Sequence, residues 1–373
     1  MMYQQIRHLQ ENGIPLSQIV YVNFEDERLL EMSADDLNVI LEIGLEMAGV
    51  DNRPYLFLDE IQNIKGWEKF VRRIADMKYR INITGSNSKM LSSEIASTLG
   101  GRFMIVDIYP YSFPEYLLAQ GKNKNYLDIL STKDRAEVLG MYDQYVKYGA
   151  FPELVGIRNK REFLNSIYQT IYLGDIITRN KITNDFAVRL ILKKIAESIT
   201  KPLSFNRLGN ILKSAGAAIG KQTVINYVGY MMESYMLFTL HNYAAKLIQK
   251  ETSPKYYFMD TGLLGLMLMD CSSAQLENLV AIELIRRFGR EKVFYFENNV
   301  EIDFYIPEEK LAIQISMQVL DQIETREREI GAFLKLRNFI EGARCILITN
   351  SEEAELDCDG IHVSVVPAWK WLL

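Results

Sequence analysis

The chain has 373 residues, 48% of them hydrophobic and 24% charged, with a net charge of −6. That length exceeds one core and predicts about two or three domains, and the composition excludes a disordered, fibrous or collagen-like chain. No run approaches the roughly 18 apolar residues a membrane helix needs, and the polar opening MMYQQIRHLQEN has no secretory core, so a cytoplasmic protein with no membrane partner is expected.

Residues 1–12 have helical spacing, 19–24 (IVYVNF) form a strand, and 36–48 form a helix on Leu37, Ile40, Leu41 and Leu45. Residues 55–58 are a short apolar strand entered by Arg53-Pro54, 67–78 a helix, 80–84 a third strand and 102–108 a fourth. Strands alternating with helices predict an α/β fold with a parallel sheet covered on both faces. Residues 122–182 read as helices with a break at Gly149-Ala150-Phe151-Pro152. Residues 204–212 are a capped short helix, 216–220 a turn and 222–232 a second helix. Two strand-like pieces follow at 236–240 and 255–258, so this stretch reads as a winged helix-turn-helix. The end alternates again: helices at 273–288 and 324–339, and strands at 293–296, 302–306, 311–315 and 345–349. The expected domains are therefore 1–120, 121–185, 186–260 and 261–373.

Charge is unevenly spread. Residues 186–258 carry ten Lys/Arg against three acids, a surplus of seven, and the rest of the chain carries −13. A basic middle in an acidic chain points to an anionic partner such as DNA. Lys221, Gln222, Thr223 and Asn226, at the start of the second helix, are the candidate contacts; that helix is poor in arginine, so the same face also suits a protein partner. The three cysteines (Cys271, Cys345, Cys358) contain no CxxC pair, and His8, His241 and His362 are scattered, so neither disulfides nor a zinc site is expected.

The strand at 55–58 ends in Asp59-Glu60. Nucleotide hydrolysis uses this pairing: the first carboxylate holds the magnesium shell and the second polarises the attacking water. Read alone, the pair also fits a buried strand that meets solvent with acids. The next strand runs into Thr84-Gly85-Ser86-Asn87-Ser88, where Ser86 or Asn87 could orient water or sense the terminal phosphate. Arg102 opens the fourth strand and could stabilise phosphate charge. Alone, these are a turn and a surface ion pair.

Taken in order, YLFLDEIQ, ITGSNSKML, LGGRF and IYPYSFPEYL, then MYDQYVKYGAFPELV, SPKYYFMDTGLLG and LENLVAIELIRR, resemble the prokaryotic AAA-like ATPases of the AAA_14 type that carry a DUF4143 C-terminal region. The resemblance covers nearly the whole chain. It implies Mg-ATP as cofactor, catalytic roles for Asp59, Glu60, Asn87 and Arg102, and nucleotide contact by Asp59 and Ser86. It also implies a homo-oligomer where an arginine acts on a neighbour's nucleotide. One departure stands out. Such ATPases open with a strand and GxxxxGK[ST], and this sequence has no such pattern; Gly121-Lys122 and Gly220-Lys221 lack both the earlier glycine and the following Ser/Thr. Either a misplaced or truncated start or a pseudo-ATPase with a rearranged sheet is therefore expected, the Met1-Met2 start inside a helix favouring truncation; in both cases ATP binding is expected to be weak or absent, because carboxylates cannot replace a nest of N–H groups and a lysine.

The C-terminal region resembles a PD-(D/E)xK nuclease fold, with Glu283 on the helix, Asp303 on one strand and Gln314-Ile315-Ser316 on the next. Gln314 stands where an acid is needed and Ser316 where a lysine is needed, so a degenerate, non-cleaving domain is expected. Two functions follow from the sequence: a nucleotide-dependent switch coupled to a DNA- or protein-binding half, or a non-enzymatic DNA- or protein-binding module with a vestigial ATPase domain.

Overall fold

The computed structural model describes every residue except 50, 87–97, 102, 123–130 and 269–271, and the side chains of Gln249 and Glu251. The chain divides into two compact units: Met1–Asp107 with Glu233–Tyr235, and Ile108–Met232 with Met236–Leu373.

The first unit contains α1 (Met2–Glu11), β1 (Ile19–Asn23), α2 (Leu37–Ala48), β2 (Tyr55–Asp59), α3 (Trp67–Asp76) and β3 (Arg80–Ile83). The strands form a parallel sheet in the order β1-β2-β3. Side chains on a strand alternate between faces, and β2 uses both. Leu56 and Leu58 enter a core with Leu37, Leu41, Trp67, Phe70 and Ile74, whereas Phe57 packs with Met2 and Ile19. The three central residues of β2 are fully buried. In α3 the spacing of Trp67, Phe70, Val71 and Ile74 puts four apolar side chains on one stripe.

The expected strand at 102–108 does not form. Arg102 lies outside the described residues, and 103–108 belong to no strand. Met104, Ile105 and Val106 are exposed at 93%, 52% and 62%. A strand exists only by pairing, and β3 pairs with β2 alone among the described residues. The segment has the right side chains but no ladder to join.

The second unit begins with helices α4 (Phe113–Ala119), α5 (Thr132–Tyr148) and α6 (Lys160–Gln169), the last continuing as a π-helical stretch Thr170–Thr178. Next come α7 (Asp185–Ala196), α8 (Phe205–Ser214) and α9 (Lys221–Glu233). Then come β4 (Leu237–Asn242), α10 (Leu247–Thr252), β5 (Lys255–Phe258), α11 (Thr261–Met267) and α12 (Ser272–Phe288). The remainder is β6 (Phe294–Glu297), β7 (Glu301–Ile306), β8 (Leu311–Ser316), α13 (Ile323–Leu336), β9 (Arg344–Thr349), β10 (Ala354–Cys358), β11 (Ile361–Pro367) and α14 (Ala368–Trp371).

One eight-stranded sheet organises this unit, in the order β10-β11-β9-β8-β7-β6-β4-β5. Alternation again serves two cores: Ile313 and Ile348 face one cluster with α12, and Ala312 and Leu347 face another with Phe333 and Leu336 of α13. Helices α8 and α9 and the antiparallel β4–β5 hairpin lie where the sequence pattern placed two helices and a wing. However, β4 also pairs in parallel with β6, so the hairpin is continuous with the large sheet.

Two of the quoted motifs interlock. Asp260 caps α11 by accepting from the N–H groups of Gly262 (2.8 Å) and Leu263 (3.3 Å), and its other oxygen accepts from Ala150 N–H at 2.8 Å. Gly149 just before it has φ +77°, and a Cβ there would lie 1.9 Å from the Asp260 carboxylate. Burial pushes the Asp260 carboxyl up to about 6 against those three N–H donors. No described helix is long and apolar enough to cross a membrane.

Candidate functional site

Asp59 ends β2 and sits beside Asn23 of β1 at the carboxyl edge of the sheet, the edge where open α/β folds bind ligands. Its Oδ2 accepts from the Tyr21 hydroxyl at 2.7 Å, and its Oδ1 accepts from the Thr84 hydroxyl. Burial, with hydrogen bonds to Tyr3 and Asp59, holds the Tyr21 hydroxyl protonated well above its usual range.

Glu60 takes a left-handed conformation (φ 53°), which turns the chain sharply off the strand. Its N–H donates to Thr84 Oγ1 at 3.2 Å, and its carboxylate accepts from Gln62 Nε2 at 2.5 Å. The same Gln62 nitrogen reaches Ser86 Oγ at 3.4 Å, while Gln62 Oε1 is buried with no hydrogen-bond donor among the described residues. The structure thus gathers Asp59, Glu60 and Ser86 on one strand edge, while Asn87 and Arg102 lie outside the described residues. Sequence reasoning missed Thr84, Tyr21 and Gln62. Thr84 stands directly before Gly85 in the quoted turn. Tyr21 becomes visible only once β1 is placed beside β2, and Gln62 only once the turn after β2 folds back beside Glu60 and Ser86.

The second candidate set is on α9. Lys221, Gln222 and Asn226 are exposed and Thr223 is half-buried, while Val224, Tyr227, Val228 and Met231 fill the core. Gln222 Nε2 donates to Asn226 Oδ1 at 3.1 Å, so the two amides partly satisfy each other. The basic surplus is smaller at the surface than in the sequence: Lys255 is fully buried, and Arg189 and Lys194 pair with Asp185 and Glu197.

The third set is rearranged. Glu283 does not join Asp303; it binds Arg287 at 2.7 Å and Arg286 at 3.6 Å. The helix carboxylate in the Asp303 cluster is Glu277. Six helical residues turn the chain by about 240°, so positions 277 and 283 of α12 face different neighbours. Between the carboxylates stands the Lys255 ammonium, 3.1 Å from Glu301 and 3.8 Å from both Glu277 and Asp303. Burial pulls the Lys255 pKa down, but the three carboxylates outweigh it and hold the pKa above the usual lysine range. Burial pushes Glu277 up to about 8 against the pull of Lys255, and the Tyr257 hydroxyl donates to Glu277 at 2.8 Å.

Gln314 has a structural task here that an acid could not perform. Its Oε1 accepts from Asp303 N–H at 2.8 Å while its Nε2 donates to the Glu301 carbonyl at 3.1 Å. The Ser316 hydroxyl donates to the Gln318 carbonyl at 2.9 Å. Among the described residues no group of three or more His, Cys, Asp or Glu converges in a way that could hold a metal.

Comparison with known proteins fits the first unit. The family model described as an AAA domain matches residues 1–117. An uncharacterized protein of Methanocaldococcus jannaschii is 34% identical over 367 residues, covering 95% of this chain and 82% of that protein. The chain belongs to the family of that archaeal protein, with an AAA domain at its N-terminus. An uncharacterized protein of Haemophilus influenzae is 29% identical, covering 97% of this chain and 88% of the relative. A Walker-type ATPase of Pyrococcus abyssi has a TM-score of 0.41 at 12% identity, over 71% of this chain and 75% of that one. Farther along the chain the matching model is not the expected DUF4143: residues 139–273 match a different domain of unknown function, DUF8612.

Proposed function

We propose that this chain, with its AAA domain, is built as a nucleotide-dependent switch that the lack of a GxxxxGK[ST] loop impairs, with its reactive edge at Asp59, Glu60 and Thr84 and a second unit that binds a macromolecule. The observation that carries this reading is the hydrogen-bonded set at the end of β2. Asp59 and Glu60 are adjacent, are turned apart by the left-handed Glu60, and are tied to Thr84 at the end of the neighbouring strand. Asp59 has oxygen lone pairs left for a magnesium shell, and Glu60, positioned by Gln62, suits a water-polarising role. Mg-ATP would supply the scissile phosphoanhydride and the metal charge. These residues fit its metal and water end only. The amide nest and ammonium that grip phosphates have no GxxxxGK[ST] counterpart in these 373 residues.

The reading therefore carries two statements. The edge is built for nucleotide chemistry, and this polypeptide holds ATP weakly or not at all. Titration of Mg-ATP into the 373-residue chain, followed by calorimetry, tests both. Micromolar or tighter binding would overturn the second, and tight binding that persists in Asp59→Asn with Glu60→Gln would overturn the first.

For the second unit the exposed first turns of α9 are the proposed contact face, with DNA as the anionic partner. The burial of Lys255 and the pairing of Arg189 and Lys194 favour a second reading, a protein partner and a non-enzymatic binding role. Cleavage of phosphodiesters is not proposed, because the Lys255 ammonium stands among the carboxylates that a metal ion would need.

A further inference from the structure

One stretch of the second unit carries cations and no acid. From Ser198 to Met232 there are four Lys/Arg (Lys201, Arg207, Lys213, Lys221) and no Asp or Glu, a balance of +4 that leaves −10 for the rest of the net −6. All four are exposed. None is paired with a carboxylate among the described residues, unlike Arg189 and Lys194 just before the stretch. Helix α8 carries two of the four. Its Leu208 and Leu212 turn inward, and Asn206, Arg207, Asn210, Lys213 and Ser214 stand exposed on the opposite side. Arg207, Asn210 and Ser214, spaced by three and four residues, line one shallow groove with Ile211. Lys213 stands in the last turn of α8, and Lys221 opens α9 after the turn 215–220. The uncharged polar groups on the α8 face are amides and a hydroxyl, which can donate to a phosphate oxygen.

Screening decides what this charge can attract. The Debye length at physiological salt is about 8 Å, so acids farther off than that are largely screened and the local cations set the field. The complementary partner is a polyanion. Its form follows from what the stretch lacks. No aromatic side chain is exposed between 198 and 232: Phe205 and Tyr230 are half-buried and Tyr227 is buried. Single strands are gripped by stacking on exposed rings, so the face suits a duplex. Base reading is equally unprovided for. Gln222 Nε2 donates to Asn226 Oδ1 at 3.1 Å, so the two amides that could read a base edge occupy each other. We propose that the exposed face of α8, with Lys201 and Lys221, binds the phosphate backbone of duplex DNA without sequence preference. This rests on the DNA reading of the second unit and goes beyond it, because it adds α8 to the contact face and makes the contact electrostatic.

The experiment is fluorescence anisotropy of short labelled DNA duplexes with the full chain over a range of salt. Four cations at about 0.9 each give log K a slope of about −3.6 against log salt. Two duplexes of unrelated sequence should bind within about tenfold of each other, far short of the ~1,000-fold or more of a specific site. Arg207→Gln with Lys213→Gln should reduce the slope by about two. Lys335→Gln with Arg344→Gln, the same loss of charge at exposed positions outside the stretch, should leave the slope unchanged. Duplex binding that the Arg207→Gln, Lys213→Gln chain retains in full would overturn this inference and leave the DNA reading standing on Lys221. Absence of duplex binding at low salt would end both. A strong preference between the two sequences, or tighter binding of a single strand than of the duplex, would also overturn the inference. Tighter binding of poly-glutamate than of the duplex would overturn it in favour of an acidic protein partner.

Discussion

Tyr21 reaches from β1 to donate its hydroxyl to Asp59 Oδ2 at 2.7 Å, which fixes the orientation of the first of the two strand-edge carboxylates. The acceptor is a carboxylate, and hydrogen bonds to charged groups contribute about 1.5–3 kcal/mol. Tyr21→Phe should therefore lower stability toward urea by an amount in that range, with little change in the unfolding slope. A change within about 0.5 kcal/mol would mean that Thr84 alone holds Asp59.

Lys255 should be costly to remove. Breaking a buried charge cluster by deleting one partner costs roughly 3–5 kcal/mol, because the remaining carboxylates lose their counter-ion. Lys255→Met should show a loss of that order in denaturant unfolding. Lys255→Met combined with Glu277→Gln should lose less than Lys255→Met alone only well above pH 8, where Glu277 would otherwise be an uncompensated charge, and should match it near neutral pH.

Glu277 makes the fold sensitive to pH in a definite direction. Burial raises its pKa from the ordinary 4.5 to about 8, so the folded state binds this proton more tightly than the unfolded chain does. Its contribution is complete below 4.5 and is lost as the pH rises through 8. Thermal midpoints should fall over that window, and Glu277→Gln, which stays neutral, should flatten the decline. An equal decline in both proteins would assign it to other groups.

The lock between Gly149 and Asp260 offers a local test. A Cβ at Gly149 would lie 1.9 Å from the Asp260 carboxylate, at a backbone φ of +77° that side chains rarely adopt. Gly149→Ala should cost at least about 1–3 kcal/mol. Asp260→Ala should also destabilise, because it leaves the buried Ala150 N–H without its acceptor.

What was legible in the sequence was local. The run 55–58 followed by Asp59-Glu60 states its own strand, and its own edge, in six consecutive residues. The helical stripe of Trp67, Phe70, Val71 and Ile74 is equally self-contained. Properties that depend on distant chain were hidden. Lys255 looked like one more surface cation, and only the folding of β5 near β7 and α12 encloses it with Asp303 and Glu277. Glu283 was mistaken for Glu277 because helical spacing alone does not say which turn of α12 faces the strand. Residues 103–108 have strand-forming side chains, yet a strand also needs a neighbour.

On α9, Lys221 is the exposed cation nearest the proposed contact face. If DNA is the partner, affinity for duplex DNA should fall steeply with salt, and Lys221→Ala should reduce the slope by about one. A flat salt response would favour the protein-binding reading.

The central claim is that a carboxylate edge without an amide nest and its lysine cannot grip a triphosphate. The most direct measurement is calorimetric titration of Mg-ATP into the 373-residue protein. The account predicts no binding heat at micromolar nucleotide. A saturable micromolar isotherm abolished by Asp59→Asn would contradict it.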